Sequence, residues 1–137
     1  MAFNDIAIRI NAYEQTIKTL GNEKVKGQPL IRELAIGRTK QEAFEVARKP
    51  LLAKYESYAT WGQTDTKKER TLSDTFEEFC RDRFIIGDEQ EVVDEILKYK
   101  ESFGVDNLLV RVQWPGLGQG EVLKTLDHLG KIIATIS

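Results

Sequence analysis

The chain has 137 residues, 41% hydrophobic and 31% charged, which fits one soluble globular domain and not a disordered segment. Its net charge of −2 gives no basic face for nucleic acid or an anionic membrane, and no stretch approaches the ~20 apolar residues of a membrane span. Cys80 is the only cysteine and His128 the only histidine, so no internal disulfide, histidine-rich metal site or Cys/His nucleophile pair is expected.

The amino terminus lacks a basic region followed by an apolar run, so no signal peptide is expected and the cytoplasm is the default. Asn4 or Asp5 is placed to cap a first helix, in which Ile6, Ile10, Tyr13, Ile17 and Leu20 form a single apolar stripe that Gly21 ends. After a polar connector, Asn22 to Gln28, Pro29 opens a strand-like run from Leu30 to Ile36, with Arg32 and Glu33 on opposite faces. Thr39 and Glu42 have capping-box spacing for the longest helix, roughly Lys40 to Thr60, whose buried side is Ala43, Phe44, Ala47, Leu51, Tyr55 and Tyr58. Pro50 removes one backbone donor inside it, predicting a kink near Ala47 or two abutting helices. Gln63 to Leu72 is polar and aperiodic and reads as a surface segment; Ser73 is placed to cap a short helix through Cys80, with Phe76 and Phe79 inward.

The last third is the most legible. Phe84 to Ile86 reads as a short strand. Asp88 and Glu91 make a capping box, and Gly104 stands where a left-handed residue ends the helix. Val92, Val93, Ile96, Leu97, Lys100 and Phe103 share the face between them. A strand follows from Leu108 to Trp114, with Leu108, Val110, Val112 and Trp114 on one face and Leu109, Arg111 and Gln113 on the other; a glycine-rich turn and a closing helix end the chain. Strand, helix and strand in close succession favour right-handed crossovers and a parallel sheet, hence an α/β fold. The leading helix without its own strand, and strands apolar on both faces, suggest the trailing part of a barrel that needs ~250 residues when complete.

Several phrases, in order, resemble the bacterial luciferase-like, flavin-dependent monooxygenases: Pro29-Leu-Ile-Arg-Glu-Leu-Ala-Ile, Thr39, Glu42-Ala43, Ala47-Arg48, Tyr55, Tyr58-Ala59 and Trp61-Gly62-Gln63. Phe84-Ile-Ile-Gly-Asp-Glu-Gln-Glu-Val and Gly104-Val-Asp-Asn-Leu-Leu-Val-Arg-Val-Gln-Trp-Pro-Gly continue the resemblance over nearly the whole chain. It implies the last three βα units of a TIM-type (β/α)8 barrel: a leading helix at 1–21, strand and helix at 29–62, a lid-like insertion at 63–83, and strand-helix-strand-helix at 84–137. It also implies FMN or a deazaflavin, and a small organic substrate, for a complete enzyme. The strands that carry most flavin contacts in that family have no counterpart here. The chain alone is therefore expected to be inactive, with exposed sheet edges that favour a homo-oligomer. The other readings are a non-catalytic flavin-binding or assembly subunit, and a small α/β ligand-binding domain unrelated to flavins.

Six residues are the candidates for cofactor or substrate contact. Gly116 and Gly118 lie in a turn that opens a helix, where backbone amides suit a flavin phosphate beside the Gly87 turn, although the spacing is not the dinucleotide fingerprint, Glu121 places a carboxylate there and an ordinary strand-to-helix connection fits better. Trp114 suits the wall of a flat ring or a plug at the barrel end, and Gln113 suits donation to a carbonyl. Arg32 and Arg111, within strands, need a carboxylate or an anion, with Glu33 and Asp106 the nearest carboxylates in sequence. Lys67, Lys68, Arg70, Arg81 and Arg83 suit either anion contacts on lid closure or plain surface charge. No catalytic residue is assigned.

Overall fold

The computed structural model describes residues 2–23, 29–60, 80 and 83–136, with backbone alone at 55–60. The expectations for Tyr55, Tyr58, Trp61, the 63–72 segment with Lys67, Lys68 and Arg70, the Ser73 cap, Phe76, Phe79 and Arg81 lie outside the described residues. Helix α1 (Phe3–Thr19) starts two or three residues earlier than a cap at Asn4 or Asp5 would place it. Ala2 is the N-cap and supplies no side chain, so Asp5 serves the first turn through its charge, not as a cap. The far end follows the sequence: Gly21 takes φ 71° and Asn22 N–H donates to Ile17 O at 2.9 Å, closing the last turn.

Strand β1 (Pro29–Ile36) leads into α2 (Lys40–Thr60). Thr39 Oγ1 accepts from Glu42 N–H at 3.1 Å, but the Glu42 carboxylate turns to Arg38 Nε at 3.2 Å, so only half of the capping box is found. α2 runs through Pro50 as one helix; no pair of abutting helices forms. Strand β2 (Ile85–Gly87) precedes α3 (Glu89–Phe103), which has both halves of its box: Asp88 Oδ1 accepts from Glu91 N–H at 2.8 Å, and Glu91 Oε1 accepts from Asp88 N–H at 3.1 Å. Gly104 closes α3 at φ 63°. On α3 the expected inward Lys100 is exposed, and Tyr99 is buried in its place, in tilted ring contact with Phe3 and Phe103. Strand β3 (Asn107–Arg111) ends three residues short of the expected Trp114, and α4 (Gln119–Ile136) closes the fold.

Among the described residues the three strands make one open parallel sheet in the order β2-β1-β3. The expected parallel α/β sheet is present; the chain-order arc is not, since such an arc puts β2 in the middle. β1 takes that place because it has eight residues and is buried on both faces over Leu34, Ala35 and Ile36. β2, three residues and about 10 Å long, reaches only Leu34 to Ile36, while β3 pairs with Pro29 to Glu33. Asn107 and Arg111 at the ends of β3, and its exposed alternate side chains, suit an edge strand.

The connections β1-to-β2 and β2-to-β3 cross the sheet in opposite directions, and crossovers of one hand then place their helices on opposite faces. The packing shows this. On the first face Ile6 of α1, Val92, Val93 and Tyr99 of α3, and Ile132 of α4 close over Leu34, Ile36 and Ile85. On the second face Ala47 and Leu51 of α2 pack with Ala35, Cys80, Phe84 and Trp114. Layers of helix, sheet and helix give strands that must be apolar on both sides, which explains the pattern of 34–36.

Candidate functional site

The reversal of strand order at β1 points to the crevice between the carboxyl ends of β1 and β3, where open α/β sheets hold ligands. There Ile36 N–H donates to Thr125 Oγ1 at 3.4 Å, while on the β2 side of the strand Gly37 N–H donates to Gly87 O at 3.1 Å. A Cβ on Gly37 would stand 2.9 Å from Ala43 N, so a side chain there would collide with backbone. Thr125 and Ala43 fill the crevice: between Glu42, Glu121 and Lys124 only about 10 Å³ is left, space for about one water. A flavin ring needs a pocket of roughly 300 Å³ or more, so the described residues do not hold one here. Two larger spaces lie elsewhere. A cavity of about 160 Å³ at the outer edge of β2 is lined by Lys40, Phe44, Cys80, Phe84, Glu91 and Glu95, and an apolar groove of about 440 Å³ lies over β3.

The six candidate residues fall in four places. Gln113, Gly116 and Gly118 sit together on the loop after β3. Gly116 takes φ 88° within a turn closed by Leu117 N–H to Trp114 O at 3.1 Å, and Gly118 O accepts from Glu121 N–H at 3.1 Å to start α4. Gln113 is exposed, its Nε2 3.5 Å from Trp114 O, and Glu121 pairs with Lys124 at 3.3 Å. Trp114 is buried in the second-face core beside Ala35, Cys80 and Phe84. The expected alternation put it with Leu108 and Val110; because β3 ends at Arg111, the two-residue period stops there and the ring crosses to the opposite face. Its indole Nε1 has no acceptor among the described residues.

Arg32 and Arg111 lie on opposite faces of the sheet. Arg32 is buried under α3, its guanidinium 5.1 Å from the Tyr99 ring centroid. Arg111 stands opposite Glu33 in register, and its Nη1 reaches Glu33 Oε1 at 3.3 Å; Asp106 is not its partner. The same carboxylate oxygen accepts from Lys54 Nζ of α2, whose side chain is only 8% exposed. Two cations thus converge on one buried anion. Sequence reasoning missed Lys54, although it lies three residues after Leu51 on the buried stripe of α2, where a charge needs a partner. It also missed the clamp between helices α4 and α3 formed by His128 Nδ1 and Glu89 Oε1 at 2.7 Å. No helix of the described residues is long and apolar enough to cross a membrane.

Neither a family model nor a curated protein sequence matches the chain. Solved structures do. The crystal structure of monooxygenase RslO1 from Streptomyces bottropensis superposes with a TM-score of 0.63 at 12% identity, covering 92% of this chain and 36% of that one. The oxygenating constituent of 3,6-diketocamphane monooxygenase from the CAM plasmid of Pseudomonas putida, a type II Baeyer-Villiger enzyme solved with FMN, superposes with a TM-score of 0.64 at 16% identity. It covers 92% of this chain and 38% of that one. The chain therefore spans little more than a third of the length of these two monooxygenases, and the likeness is one of fold.

Proposed function

We propose that these residues are the carboxyl-terminal part of a luciferase-like, flavin-dependent monooxygenase, and that alone they are not a catalyst. The observation that carries the reading is the superposition of 92% of the chain on just over a third of two monooxygenases. The ordered phrases from Pro29 to Gly116 support it independently of the coordinates. In the complete enzyme the flavin supplies the oxygen chemistry, and FMN is the form favoured, since one of the similar structures holds it. The described residues contribute scaffold: a sheet braced by the Glu33 ion cluster and a loop of Gln113, Gly116 and Gly118 at the carboxyl edge. With the crevice at β1 filled by Thr125 and Ala43, most of a flavin site must come from surfaces these residues do not form.

Calorimetric titration with oxidised FMN tests the reading. A partial site at the 113–118 loop gives a Kd of about 0.1 to 1 mM, or roughly −4 to −5.5 kcal/mol, with no substrate oxidation. Micromolar or tighter binding would instead favour a non-catalytic flavin-binding subunit. Silence up to several times that concentration would remove the 113–118 loop as a flavin contact and exclude the flavin-binding subunit.

A further inference from the structure

We draw no further inference here: the strongest candidate, the side-chain cluster of Glu33, Lys54 and Arg111 on the second face of the sheet, where the Arg111 guanidinium is half exposed, carries nothing, because the rest of the longer enzyme proposed above would cover that face and nothing in the structure shows what covers it.

Discussion

Glu33→Ala should lower the stability of the chain by about 3 kcal/mol, the cost of taking a hydrogen-bonded carboxylate away from a buried ammonium. Glu33 is 9% exposed and its Oε1 accepts from both Lys54 and Arg111. The two cations are not equivalent. Arg111 is 45% exposed at its side chain and can turn to water, whereas Lys54 at 8% cannot, so nearly all of the loss arises at Lys54. Urea unfolding of the single variant measures the effect, and the double variant Glu33→Leu with Lys54→Met identifies its cause. Removing both charges together should return stability to within about 1.5 kcal/mol of the wild type, because a volume-matched apolar pair replaces a buried ion pair at little cost. A double variant as weak as the single one would mean that the carboxylate acts through something other than Lys54.

Trp114→Ala should cost about 3–5 kcal/mol, whereas Trp114→Phe should cost under about 1.5 kcal/mol. The ring is 2% exposed between Ala35, Cys80 and Phe84, so truncation opens a large cavity under the carboxyl edge of the sheet. Phenylalanine keeps most of the apolar volume and removes an indole N–H that has no acceptor among the described residues. Set against a typical domain stability of roughly 5–15 kcal/mol, the alanine variant loses a large fraction and should melt roughly 10 °C or more below the wild type. If alanine left the melting temperature unchanged and weakened only FMN binding, Trp114 would be a wall of the ligand site and not a core residue.

These two residues also show what the sequence can reveal. Local chemistry was legible wherever a few neighbouring residues decide the outcome. Asp88 with Glu91, Gly104, Gly21 and the apolar stripe of Ala43, Ala47 and Leu51 all act as their spacing implies. The parallel sheet was legible too, because strand-helix-strand spacing leaves few alternatives. Strand order was not. An arc in chain order and a doubly wound sheet have the same succession of elements, and what separates them is the length of β2, three residues, against the eight of β1. Trp114 was assigned to the wrong face for a related reason: alternation holds only while a chain stays extended, and β3 stops at Arg111. Tyr99 for Lys100 on α3 turned on tertiary contacts with Phe3 and Arg32, far away in sequence. Of the candidate site, the pairing of Arg111 with Glu33 was one of two options open in the sequence; the third member, Lys54, needed the helix docked to become visible.

The central claim is that β1 lies between the other two strands, and backbone proximity tests it most directly. In a nuclear Overhauser spectrum of the labelled chain, Leu34 should show inter-strand contacts to the Ile85 region and Ile31 to the Leu109 region, with none between β2 and β3. Contacts joining β2 directly to β3, with Ile31 lacking any to Leu109, would restore the chain-order arc and contradict the open sheet on which the crevice and the ion cluster both depend.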